Sequence, residues 1–306
     1  MSGGYKALRE SAASLDLSAR GRIRVAGEDR ARLLHAICTN HIQQLTPGIG
    51  CYAFFLNAQG HILADANVLC FEDSFLLDTE PETAGLLYEH IDKYIIADDV
   101  RLENAAAVAV GVEGPRAAEL LRGLGAPVPE APFSHRDWGS RIVAALSVTG
   151  EPGFRIFLDK SEREDLIRRL EVPRAEEDAI RTVRLEHGKP RYGEDFDQRH
   201  LPQETQQMHA LNFNKGCYLG QEIVERIRSR GQVHRLLVPL QIDSTDAPAA
   251  GAEVLAGDGS KAGEITSAVV SPALGKVAAL AYIRRDYLEM KKPLSVGGAK
   301  ASTLSS

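Results

Sequence analysis

The chain reads as an α+β protein, with two related α+β halves followed by a small all-β domain of barrel or sandwich type. Three observations point there. A strand–turn–helix pattern occurs twice, and short apolar runs separated by Gly, Pro and Asp turns dominate from Val233 onward. The third is length, since 306 residues suit about two domains, with three small ones possible.

Taken in order, Arg22-Ile23-Arg24-Val25 alternates as a strand does, and Gly27-Glu28-Asp29 leads into a helix using Leu33, Leu34 and Ile37. Tyr52 to Leu56 and Ile62 to Phe71 read as strands joined by the turn Asn57-Ala58-Gln59-Gly60. A helix from Glu82 to Tyr94 buries Leu86, Leu87, Ile91 and Tyr94. Ala107 to Val112 is again a strand, followed by Gly114-Pro115 and a helix. The segments VAGEDRARLL (25–34) and VEGPRAAELL (112–121) share Val, Gly, Ala, Leu and Leu in register, which suggests related halves. Phe154 to Leu158 is a strand, and Ser161-x-x-Glu164 supplies a capping box for the next helix. Glu176 to Glu186 forms a further helix, stopped by Gly188 and Pro190. Residues 187–215 are polar and poorly periodic, the texture of a ligand-lining loop. The runs Leu236–Ile242, Ala252–Leu255, Ile265–Val270 and Val277–Ile283 then build the all-β domain. The resulting division is 1–232, with a second subdomain at 104–175 and segments free to interleave, and 233–306.

An apolar share of 44% and a charged share of 25% are those of an ordinary globular protein. There is no run of about 18 apolar residues, and no apolar leader after Met1, so the expectation is a cytoplasmic protein without a membrane partner. The net charge of −6 argues against broad nucleic-acid binding. Cys38, Cys51, Cys70 and Cys217 form no C-x-x-C pair, and the nine histidines show no ligand spacing, so no metal site is expected. Neither a Walker loop nor G-x-G-x-x-G is present. Cys38, Cys51 and Cys70 sit among apolar neighbours and read as core.

Cys217 differs. It lies in Lys215-Gly216-Cys217-Tyr218-Leu219-Gly220-Gln221-Glu222, a glycine-flanked turn ahead of a helix. The helix N-terminus and the cations Lys215, Arg226, Arg228 and Arg230 would favour its thiolate. Two carboxylates also stand out. Asp65 is a lone acid on a mostly apolar strand, which pattern alone reads as solvent-facing. Glu186 closes a helix against the dipole and needs a partner, for which Arg184 or Lys189 is the plain choice.

The octapeptide resembles the signature of the YgfZ folate-binding proteins, which support assembly or repair of iron–sulfur enzymes and have been linked to tRNA modification. That family is related to the glycine-cleavage T-protein, an aminomethyltransferase. The wider likeness runs through Arg184-Leu185-Glu186-x-Gly188, Tyr192-Gly193-Glu194-Asp195, Leu201-Pro202-Gln203-Glu204, Thr266-Ser267, Ser271-Pro272 and Leu274-Gly275. It implies a clover-leaf of two ferredoxin-like α+β domains and a C-terminal β-barrel around a central folate channel, with Cys217 at its rim. It further implies tetrahydrofolate, or a derivative, as cofactor. Glu186 would grip the pterin, Asp65 would act near the folate nitrogens, and Lys215, Tyr192 and Arg230 would complete the binding set. Implied partners are folate, iron–sulfur client or assembly proteins and a small thiol. Cys217 would be the working residue of an accessory protein, and the alternative is a folate-dependent aminomethyltransferase.

Overall fold

The computed structural model describes residues 2–304, with Arg230 described by its backbone alone. Helix α1 (Gly3–Glu10) starts at Ser2, whose hydroxyl accepts from the Tyr5 amide, and leads to strand β1 (Ala13–Asp16). The first α+β unit then runs through β2 (Gly21–Ala26), α2 (Arg30–Ile37), β3 (Gly50–Leu56), β4 (Ile62–Cys70), β5 (Ser74–Thr79), α3 (Ala84–Asp92) and β6 (Arg101–Asn104). Its antiparallel sheet has the order β3-β4-β5-β2-β6. Ala64, Ala66 and Val68 of β4 join the core under α2 and α3, which leaves Asp65 and Asn67 on the opposite face.

The second unit contains β7 (Val108–Glu113), α4 (Ala117–Gly123), β8 (His135–Trp138), β9 (Arg141–Ala144), β10 (Gly153–Leu158) and α5 (Arg163–Leu170). Its sheet order is β1-β7-β10-β9-β8. The first strand of the chain therefore sits at the edge of the second sheet, with Ala13 opposite Glu113. The two halves correspond where their sequences match. Gly27 ends β2 at φ +105°, and Gly114 ends β7 at φ +130°. A Cβ on Gly27 would lie 2.0 Å from the Asp99 carbonyl, and one on Gly114 would lie 2.6 Å from that of Ser11. The repeated glycine thus lets another segment cross directly over each strand end.

Helix α6 (Glu177–Glu186) follows, then the polar stretch, which contains two short 3₁₀ turns, and α7 (Gln221–Arg230). A closed barrel is formed by β11 (Arg235–Ile242), β12 (Glu253–Ala256), β13 (Lys261–Ser271), β14 (Lys276–Arg284), β15 (Leu294–Val296) and β16 (Ala299–Thr303), with the short α8 (Arg285–Glu289) between β14 and β15. Closure leaves no strand edge unpaired. No helix among the described residues is long and apolar enough to cross a membrane.

One local expectation fails. Ser161 and Glu164 make no capping box, because Asp159 accepts from both the Ser161 amide at 2.8 Å and its hydroxyl at 2.6 Å, and begins a 3₁₀ turn before α5. Of the cysteines, Cys38 and Cys70 are buried, Cys51 is half-buried against the first core, and Cys217 is exposed.

Candidate functional site

A cavity of about 1240 Å³ opens between the exposed sheet face of the first unit and the second unit. That is room for a cofactor-sized ligand. Asp65, Asn67 and Tyr52 line one wall, Arg155 of β10 faces them, and α6 with the loop after it closes a side. The barrel contributes no lining residue. It backs α6 from outside, through Asp195 and the Thr266 and Ser267 hydroxyls.

Asp65 is buried, and its two oxygens differ. Oδ2 accepts from the Tyr52 hydroxyl at 2.6 Å, whereas Oδ1 has no partner. Burial and then the nearby Glu80 push its carboxyl up to about 6, against the opposing Tyr52 bond and Arg20. Such a group on a cavity wall is poised for proton chemistry. On the neighbouring strand β5, opposite Asn67, Asp78 shows the contrast. It accepts from Arg20 at 3.0 Å and pairs with Arg155, whose side chain is 1% exposed. This buried ion pair ties the first sheet to the second, and Glu80 extends it to Arg20 and Arg191. Tyr52, His209 and Phe133 add an aromatic ledge. The Tyr52 and His209 rings stack at 5.4 Å, and those of Phe133 and His209 at 6.3 Å. Burial and the positive Lys189 hold His209 below its usual range.

The other sequence-selected residues lie off this cavity. Glu186 accepts from the Tyr5 hydroxyl at 2.7 Å and from the Ser271 hydroxyl at 2.6 Å, with Arg9 at 3.6 Å. It joins α1 to the barrel, and its second oxygen, Oε2, is buried without a hydrogen-bond partner. Arg184 and Lys189, its plain candidates, are committed elsewhere: Arg184 to Asp195 and Glu194, Lys189 to the Ser147 carbonyl. Tyr192 is buried in an apolar cluster, edge-on to Phe196. Arg230 is a sequence expectation whose side chain falls outside the described residues.

Lys215 turns inward, donating to the carbonyls of His35 and Cys38 at the end of α2. An ammonium there offsets both the unpaired carbonyls and the negative helix end. This anchor, together with the Leu219 amide bonded to the Ala36 carbonyl at 2.9 Å, docks the octapeptide on α2. Cys217 therefore stands exposed on the α2 side, and not at the rim of the cavity. Of the other cations expected around the thiol, Arg228 is engaged elsewhere, over the Phe213 ring and 3.4 Å from Glu225. Sequence reasoning missed Arg20, Asp78, Glu80, Arg155 and Lys189. The signal for Arg155 was a charged residue within the apolar run of β10.

A reduced folate suits this cavity on three counts: the unpartnered Asp65 oxygen for an N–H group, the aromatic ledge for a flat ring, and the volume. Residues 2–215 match the family model described as the GCVT N-terminal domain. Residues 235–302 match the glycine cleavage T-protein C-terminal barrel domain. An aminomethyltransferase of Staphylococcus carnosus (strain TM300) is 29% identical over 307 residues, spanning 95% of this chain and 84% of the relative. A chloroplastic putative transferase of Arabidopsis thaliana is 25% identical, spanning 92% of this chain and 68% of its own length. The crystal structure of the glycine cleavage system aminomethyltransferase T from Bartonella henselae superposes with a TM-score of 0.90 at 22% identity. It covers 99% of this chain and 87% of that one, and shows the shared fold.

Proposed function

Because the chain belongs to the family of the GCVT N-terminal domain, we propose that its cavity binds a reduced folate for one-carbon transfer of the aminomethyltransferase type. The observation that carries this reading is Asp65, a buried acid lining the cavity, with one oxygen fixed by Tyr52 and the other without a partner. A reduced folate, when bound, supplies the nitrogens that carry the one-carbon unit. Asp65 Oδ1 is the acceptor for an N–H there, and Tyr52 holds the carboxylate plane. The aromatic ledge orients a flat ring, and the walls exclude bulk water around the acid. The direct test incubates the protein with tetrahydrofolate and aminomethylated lipoyl carriers, whose one-carbon unit is already at the methylene level. Methylene-tetrahydrofolate formation that Asp65→Asn removes and Cys217→Ser spares supports the reading. Absence of the product with every donor rejects it.

A second reading rests on Cys217, which is exposed on a glycine-flanked turn. There the protein is a YgfZ-like accessory of iron–sulfur enzyme assembly or repair, with the link to tRNA modification that this likeness carries. One thiol cannot hold a cluster that takes four ligands, so Cys217 would act with a client protein or a small thiol. A reducing compartment such as the cytoplasm keeps it free. Full rescue of a deletion strain's iron–sulfur enzyme defect by Cys217→Ser would eliminate this role.

A further inference from the structure

We infer that Lys189 forms a carboxylate-binding subsite on the cavity wall, an inference that rests on the reduced-folate reading and names one group of its ligands. Among the described residues, the other cations lining the cavity are matched to acids. Arg20 and Arg191 share Glu80, Arg174 meets Asp16, and Arg181 and Arg184 meet Glu194. Lys189 is the exception. Its ammonium donates to the Ser147 carbonyl and forms no ion pair with a carboxylate among the described residues.

The acids nearest in the network are occupied by other groups. Glu113 lies behind the turn and accepts from Ser147 Oγ at 2.8 Å, the Val148 amide at 2.7 Å and the Thr149 amide at 3.0 Å. Asp78 is shared between Arg20 and Arg155. Arg155 in turn keeps its buried Nε without a partner. The wall thus presents one ammonium whose charge is not matched by contact, that of Lys189.

An unmatched cation in a half-buried site carries a desolvation penalty. Burial brings the Lys189 ammonium down to about 8, against the opposing charge of Glu113 and with the positive Arg155 and Arg20 pushing the same way. An anionic oxygen group beside Lys189 would remove that penalty. A carboxylate is the fitting class, because the ammonium offers a point charge and N–H donors to an anionic oxygen. Two sources carry that chemistry: the glutamate tail of the folate itself, or a small carboxylate substrate bound beside it.

The test compares tetrahydrofolate, tetrahydropteroate (the same ring without the glutamate) and acetate. Affinities are measured on the wild-type protein, Lys189→Met and Lys189→Arg. Acylation of Lys189 in the wild-type protein, read by peptide mass spectrometry, gives a second measurement that needs no variant. If the tail is the source, Lys189→Met weakens tetrahydrofolate by tenfold or more and spares tetrahydropteroate, Lys189→Arg retains most of the affinity, and tetrahydrofolate shields Lys189 better than tetrahydropteroate. If a small carboxylate is the source, acetate shields Lys189 from acylation. The subsite is overturned if Lys189→Met treats both pterins alike, both shield Lys189 equally and acetate shields nothing. Should the wild-type protein bind neither pterin, the folate reading fails, and the acetate measurement alone decides the subsite.

Discussion

The cavity wall and the Cys217 turn are built on opposite principles. The turn holds the most distinctive motif of the chain, yet it rests on the surface, and its buried lysine serves as an anchor to the end of α2. The cavity wall is assembled from residues scattered over two sheets, α6 and the loop after it, and it holds the buried acid Asp65, one of whose oxygens has no partner. The difference teaches that a specific motif marks where a chain is constrained, while chemistry needs a place where charge is buried without being fully paired.

The largest effect is expected at the ion pair joining the sheets. Arg155→Met leaves the fully buried Asp78 with one guanidinium fewer, and urea denaturation should show a loss of about 3 kcal/mol. A loss below about 1 kcal/mol would mean that Arg20 alone satisfies Asp78. Asp65→Asn keeps the shape but not the proton chemistry, and should slow one-carbon transfer about 100-fold with the fold intact.

The same acid predicts two pH effects. With its carboxyl raised to about 6 in the folded protein from 3.8, ionising it opposes folding. Stability should therefore decline as pH rises from 3.8 to about 6, and Asp65→Asn should remove that slope. Transfer that uses the ionised form should fall as pH drops through about 6, and a rate profile flat across that range would exclude Asp65 as the acceptor.

Smaller effects sharpen the contrast. Glu186→Ala loses its bonds to Tyr5 and Ser271 and should cost about 1–3 kcal/mol of stability. Folate affinity should stay within about twofold of wild type, because the carboxylate is not a cavity group. Cys217→Ser should change stability by less than about 0.5 kcal/mol and leave folate affinity unaltered.

How much of this was legible depends on the range of the interaction. The strands Arg22–Val25, Tyr52–Leu56 and Phe154–Leu158, and the helix ending at Glu186, all declared themselves through local periodicity, and so did the barrel strands. The repeat at Gly27 and Gly114 was visible because a crossing segment demands glycine at both points. Only the last two barrel strands, β15 and β16, were too short and polar to stand out. The same limit governed the site. Asp65 was noticed as a lone acid, but its burial depends on a second sheet lying against it. The partners of Glu186 were out of sight because Tyr5 and Ser271 are 181 and 85 residues away. Lys189 passed as a surface partner for that acid, since nothing in EHGKPRYG reveals that its neighbour in space is Ser147.

Asp195 has a consequence of its own. It is 1% exposed and accepts from Arg184 at 2.6 Å, from the Arg191 amide at 3.0 Å and from Thr266 and Ser267 of β13. Prising the barrel away would strand those hydroxyls and open a buried anion to water. The barrel and the α+β units should therefore melt as one cooperative body, with a single calorimetric peak, and a fragment ending before the barrel should be an easy target for proteases.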